Sequence, residues 1–293
     1  MRVLVLGGTG SIGGPVVREL IRRGHDVVAL ARSAASAQKV ADFGAMAIAG
    51  DIATPDRWLA ALPPLGGVVH VAATFAADQQ ATDLRLLQSL LPFLNAMQWQ
   101  TRFIYTGGCW LFGATDGTAA TEDSPFDPVT FLEWQVRHIR VVLAAPGIDA
   151  VIVHPAMVYE PRGGVFGRFY KDAITRPAVR IVADERVRWP LVHSKDLATL
   201  YSLALERSAP RQSYFGVAIE GMPVGRIARA FARRFATRYP DPLVMTDDEI
   251  ATELGHWAQG HARDQRLSGA KAQRILGWEP EHLDPEHEIA SIR

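Results

Sequence analysis

Residues 2–14 read RVLVLGGTGSIGG, an unbroken apolar run followed at once by glycines. Val3, Leu4, Val5 and Leu6 lack the polar alternation of a half-exposed strand, so they predict a strand buried on both faces, as in a parallel sheet. Gly7, Gly10 and Gly13 follow at GxxGxxG spacing, and Ile12, Val16, Val17, Leu20 and Ile21 then share one face of a predicted helix that Gly24 stops. One glycine permits a sharp backbone reversal, a second lets a pyrophosphate approach the main chain, and a third lets helix and strand pack closely. The helix N-terminus adds free N–H groups and a positive dipole end. Gly7, Thr9, Gly10, Ser11, Ile12 and Gly13 are therefore the expected dinucleotide cradle. The alternative is a glycine-rich βα turn with no ligand.

The bulk composition narrows the partners. The 293 residues carry 31 Lys+Arg and 31 Asp+Glu, and this balance gives no support to nucleic acid or an anionic membrane surface. A lone cysteine, Cys109, excludes an intrachain disulfide and a cysteine-cluster metal site, and it fits a reducing cytoplasm. The short N-terminal apolar run ends in glycines and does not read as a signal peptide. No apolar run is long enough to cross a bilayer. The expectation is a soluble, cytoplasmic protein acting on a small molecule, with a homodimer left open and no metal.

Val27–Ala31 predicts a second buried strand, closed by Arg32 and Ser33. In nicotinamide-binding folds an acidic side chain here bonds a free ribose 2′-hydroxyl, whereas an arginine pairs with a 2′-phosphate. Arg32 thus favours NADP(H) over NAD(H), plain surface charge being the alternative. Met46–Ile48 predicts a short third strand, with Asp51 and Ile52 after it, and Thr54-Pro55-Asp56 a helix start. Val68–Val71 predicts a fourth strand running into Ala72, Ala73 and Thr74, small residues against which a flat ligand can lie.

Leu84, Leu87, Leu91, Leu94 and Met97 recur at helical spacing and predict a helix over 82–98, disturbed at Pro92. Phe103–Tyr105 predicts a fifth strand leading into Thr106–Gly113, and residues 114–130 read as an active-site loop. A helix from Phe131 to Ala144 and a sixth strand over Val151–Val153 follow. This alternation predicts an α/β fold, a doubly wound parallel Rossmann-type sheet spanning 1–157, with 191–218 returning to it. Residues 158–190 show little periodicity. With 219–293 they form an expected small substrate lobe, including helices at Val224–Phe235, after a Thr246/Glu249 capping box, and at Ser268–Leu276.

Taken together these segments resemble the extended short-chain dehydrogenase/reductases, the NAD-dependent epimerase/dehydratase family. LGGTGSIG is similar to its glycine signature, GDI to its adenine contact, and VVHVAA to the segment bordering the cofactor. IYTGGCWLFG is similar to its serine-bearing strand and loop, HPAMVYEP to its RP-x-x-VYGP segment, LVHSKDLA to its VHVDDVA segment, and LSGAKAQRILGWEP to its C-terminal pattern. The resemblance covers nearly the whole chain. It implies an NAD(P)(H)-dependent oxidoreductase or epimerase, with Gly7, Thr9, Gly10, Ser11, Ile12, Gly13, Arg32, Asp51, Ile52, Ala72, Ala73, Thr74, Thr106 and Pro155 around the cofactor.

The family's catalytic residues do not carry over. It uses a Tyr-xxx-Lys pair, the lysine lowering the tyrosine's pKa so that its hydroxyl relays a proton, and an orienting Ser or Thr. These positions fall on Phe131, Gln135 and Gly108; a register one residue later gives Leu132 and Val136, and neither restores the pair. Candidate stand-ins are Thr106, His138 (whose alternative is a surface or capping role) and Tyr159 (whose alternative is packing). Cys109, Trp110, Phe112, Trp134 and Tyr159 are the candidate pocket walls, with core packing as the alternative. Arg188 stands one residue out of register for the family's nucleotide-sugar phosphate contact. Three readings follow: an oxidoreductase on a small, largely apolar carbonyl or alcohol with a non-standard proton donor, a non-redox isomerase or lyase on the same scaffold, and a catalytically inactive NADP-binding regulatory protein.

Overall fold

A computed structural model of the chain describes residues 1–74, 76–97 and 99–293. Its first half alternates strand and helix: β1 (Arg2–Leu6), α1 (Gly13–Arg22), β2 (Asp26–Ala31), α2 (Ala34–Asp42), β3 (Met46–Ala49), β4 (Gly67–His70), α3 (Gln79–Asn95), β5 (Thr101–Thr106), α4 (Glu133–Ala144) and β6 (Ile148–Pro155). The second half comprises β7 (Met157–Glu160), β8 (Gly163–Gly164), α5 (Phe166–Thr175), β9 (Arg180–Ile181), β10 (Arg188–His193), α6 (Ser194–Arg207), β11 (Gln212–Gly216), β12 (Ile219–Pro223), α7 (Val224–Phe235), β13 (Leu243–Val244), α8 (Asp247–Glu253), α9 (Ala270–Leu276) and α10 (Pro285–Ala290).

The apolar runs explain the large sheet. Val3, Leu4, Val5 and Leu6 are fully buried, as are Val68 and Val69 on β4 and Phe103 and Ile104 on β5. Burial of each such large side chain contributes roughly 1.5–3 kcal/mol relative to exposure. Seven strands run in the order β11-β6-β5-β4-β1-β2-β3, and every pairing in that sheet is parallel. α1 packs with α6, and α3 with α4. The strand order reverses between β1 and β4, so the loops after those two strands flank the crevice in which such sheets bind ligands.

A second sheet, β12-β10-β7-β8, follows β6, and β9 pairs with β13. Within 191–218, β10 joins this smaller sheet, while β11 pairs with β6 in the large one.

Several expectations are corrected. Thr54-Pro55-Asp56 opens only a 3-10 turn, Pro55–Arg57, followed by another at Leu59–Ala61. The Trp58 indole N–H donates to Asp51 O at 2.8 Å and pins the chain there, and two prolines follow at 63 and 64. The helix expected over 82–98 runs from Gln79 to Asn95, with Pro92 inside it, and its buried face is Leu86, Leu87, Leu90, Leu91 and Leu94, leaving Leu84 exposed. Residue 98 lies outside the described residues. The stretch read as aperiodic contains α5, whose Phe166 and Phe169 are fully buried, one turn apart.

Candidate active site

Gly7 sits at the C-terminal end of β1 with φ +91°, and a Cβ there would lie 2.7 Å from Ala72 Cα, on the loop after β4. The two loops therefore touch backbone to backbone at the point where the sheet order reverses. Gly13 fixes the other end of the turn, because its Cβ would stand 2.0 Å from Gly7 O. Gly10 differs: a Cβ there would meet only Gly7 O, at 3.5 Å. Gly10 and Ser11 are exposed, and no side chain caps the N-terminus of α1. Gly10 N and Gly14 N are bonded to Gly7 O and Gly10 O, and Pro15 has no N–H, so the intervening amides, the open space over Gly10 and the helix dipole make an anion cradle that fits a dinucleotide pyrophosphate.

The expected adenosine side lines up along the same edge. Arg32 is exposed directly after β2, and among the described residues no carboxylate pairs with it. Lys39 reaches from α2 to donate to Thr9 O at 2.8 Å, so a second cation stands on the glycine loop. Asp51 is half-buried and its Oδ1 accepts from Ala53 N at 2.9 Å, with Ile52 beside it. Ala73 and Thr74 are exposed, while Pro155, at the end of β6, is buried.

Past β5 the chain runs over the end of the sheet. The Thr106 hydroxyl and Tyr201 OH are 2.7 Å apart, and Thr106 O accepts from Gln135 Nε2 at 3.0 Å. Gly108 is extended, and a Cβ there would meet nothing within 4 Å. Phe131 and Gln135 are half-buried, whereas Leu132 and Val136 belong to the core.

His138 is not on the surface. On the same face of α4 as Gln135, it is buried with Nδ1 2.6 Å from Asp83 Oδ2. Asp83, buried on α3, also takes the Tyr105 hydroxyl at 2.8 Å and His70 Nε2 at 2.8 Å. Tyr105 and His70 are register partners on neighbouring strands, so both side chains leave one face of the sheet toward Asp83. Burial pushes the Asp83 pKa up, but hydrogen bonds from His138, His70 and Tyr105 outweigh it and hold the carboxyl well below the usual carboxylate range. This four-residue network was not legible as a site; the i, i+3 spacing of Gln135 and His138 was its only trace.

The expected pocket walls mostly belong to the core. Phe112 packs against Phe126, His154 and Phe215, and Trp134 against His138. Burial pushes the Cys109 thiol up to about 12. Tyr159 is fully buried, stacked on Phe166, with its hydroxyl donating to His282 O at 3.2 Å; burial raises its pKa far above the ordinary tyrosine value. Of these five candidates only Trp110 is half-exposed. Trp257 and His261, which sequence reasoning missed, lie against it. Among the described residues there is no cluster of metal-ligating side chains, and no helix is long and apolar enough to cross a membrane.

The profile of the NAD dependent epimerase/dehydratase family matches residues 3–216. The chain belongs to that family. A curated but uncharacterized protein of Schizosaccharomyces pombe is 28% identical over 300 residues, covering 99% of each chain. Among solved structures, a double mutant of the dTDP-glucose 4,6-dehydratase DesIV from Streptomyces venezuelae, with NAD bound, is similar with a TM-score of 0.83 at 19% identity, covering 99% of this chain and 95% of that one. A human epimerase family protein with NADPH is similar with a TM-score of 0.81 at 20% identity, covering 100% and 99%. For this member of the epimerase/dehydratase family, the structural likeness fixes a Rossmann-type α/β fold. The two cofactors seen in those relatives leave the choice between NAD and NADP to the chain's own residues.

Proposed function

We propose that the protein is an NADP(H)-dependent oxidoreductase acting on a small, largely apolar carbonyl or alcohol, without the family's tyrosine–lysine proton relay. The observation that supports this reading is the open space over Gly10 in the turn after β1, together with an exposed Arg32 after β2; the sequence register adds Gly108, Phe131 and Gln135 where the family has hydroxyl, acid and lysine. Residues 1–157 with 191–218 are the dinucleotide-binding part in this reading, and 158–190 with 219–293 the substrate lobe.

A bound nicotinamide supplies hydride chemistry. The protein's share is placement. The glycine turn from Gly7 to Gly13 and the dipole of α1 hold the pyrophosphate, Arg32 takes the 2′-phosphate, and the small residues Ala72, Ala73 and Thr74 border the ring. Gln135 holds the strand end at Thr106 but has no charge to lower another group's pKa. The stand-in acids are all engaged: Thr106 with Tyr201, His138 with Asp83, Tyr159 with His282. In this reading the proton comes from water, and positioning supplies most of the rate.

Calorimetric titration tests the cofactor assignment. NADPH should bind about ten- to a hundredfold more tightly than NADH, the value of one charge-assisted pair of roughly 1.5–3 kcal/mol, and Arg32→Ala should narrow that gap. Equal affinities in the natural protein contradict it.

A further inference from the structure

Two residues beyond Gly108, whose Cβ position meets nothing within 4 Å, Trp110 joins two other half-buried rings in a row. Phe131 meets Trp110 edge-to-face with centroids 6.3 Å apart, and Trp110 faces Trp257 at 6.5 Å with the planes 28° from parallel. The rings come from three parts of the chain: the loop after β5, the turn before α4, and the 3-10 segment Gly255–Ala262. That last segment is clasped onto Trp110. A Cβ at Gly260 would lie 2.3 Å from the Trp110 ring, and His261 packs edge-on against it at 5.0 Å. His261 brings no useful proton, because burial pushes its pKa down to about 3. The Trp189 indole N–H donates to His261 O and is used up there. Gly260 covers part of Trp110, and the half-buried ring surface that the row leaves is aromatic and carries no acid.

We propose that this row binds a flat, conjugated acceptor of the quinone class, which the site reduces without an acid from the protein. The proposal rests on the oxidoreductase reading above. Hydride added to an isolated carbonyl leaves an alkoxide, which needs an acid in the transition state. Hydride added to a quinone leaves a phenolate-type anion, whose conjugate acid titrates near the tyrosine value of about 10, so water protonates it afterwards. The balance is quinone + NADPH + H⁺ → hydroquinone + NADP⁺, the proton coming from solvent. On this account Phe131 is not a lost tyrosine but the first ring of a stacking wall.

The test is equilibrium dialysis of the protein, with and without NADP⁺, against menadione and against the saturated bicyclic diketone of the same size. Menadione should bind at least about tenfold more tightly than the saturated compound. Trp257→Leu should weaken menadione about two- to tenfold, the worth of one aromatic contact, with NADP⁺ affinity unchanged. Trp110→Leu should do the same, and circular dichroism verifies that both variants fold. Equal affinity for the two diketones, or a Trp257→Leu protein that binds menadione as before, overturns the proposal. NADPH consumption with simple aldehydes but not with menadione overturns it while leaving the oxidoreductase reading intact. Absence of NADP⁺ binding overturns both.

Discussion

His138 Nδ1 lies 2.6 Å from Asp83 Oδ2, with both side chains buried between α3 and α4 and a turn away from Gln135. The contact ties α4, which carries Gln135, to α3, and through Asp83 to β4 and β5 as well. A carboxylate with three donors in a dry interior is expensive to disturb, because removing its charge leaves those donors under-satisfied.

Asp83→Asn should destabilise the fold by about 3 kcal/mol, read as a lower urea midpoint at unchanged slope. The Asp83 carboxyl titrates below its unfolded value, so its contribution is present above about pH 4 and lost only as pH falls through the lower folded value. Mild acid should therefore not erase the difference between variant and natural protein. A variant of unchanged stability would show that the network is not part of what holds α3 and α4 in place.

The acid limb of stability should come from buried histidines instead. Burial pushes His154, within its ring of Phe112, Phe126 and Phe215, down to about 3. A folded pKa below the unfolded value of about 6.5 means that stability is complete above 6.5 and is lost as pH falls toward the folded value. Each such histidine adds a slope of about 1.4 kcal/mol per pH unit. His154→Phe should remove that much slope between about pH 6 and 4, measured by urea midpoints across the range. Identical slopes in the two proteins would count against a neutral, buried His154.

Two glycines of one turn should behave oppositely. Gly13→Ala should cost on the order of 3 kcal/mol, because its Cβ would stand 2.0 Å from Gly7 O. Gly10→Val should stay within about 1 kcal/mol of the natural stability, since only Gly7 O lies near, at 3.5 Å, yet it should lose dinucleotide binding. Thermal melts and calorimetric titration separate the two effects. Micromolar cofactor binding by Gly10→Val would place the cofactor elsewhere.

These sites differ in how far the sequence discloses them. The glycine turn is legible because each glycine answers a local requirement, and β1, α7 and the Thr246/Glu249 cap are written in local periodicity and capping chemistry. α5 escapes because its apolar positions are interleaved with Arg168, Lys171 and Asp172, and the Asp172–Arg180 pair that buries Asp172 forms only in the fold. Asp83 reads as one polar residue on an amphipathic helix; only register pairing of His70 with Tyr105 shows that three distant donors converge on it. The aromatic row is hidden for the same reason, since Trp257 stands 147 positions from Trp110 and no local pattern joins them.

The central claim is that the site works without a tyrosine–lysine relay, and a pH–rate profile tests it most directly. NADPH-linked reduction would be followed between about pH 6 and 10 for the natural protein and for the triple variant Gly108→Ser, Phe131→Tyr, Gln135→Lys. Space at Gly108 admits the serine, and Gln135 already reaches Thr106 O, as a lysine would. The natural protein should show no alkaline limb from a lowered tyrosine pKa, and the triple variant should gain one together with about 10²–10⁴-fold faster reduction of simple aldehydes. A natural protein that already reduces aldehydes with a tyrosine-like alkaline limb would contradict the account.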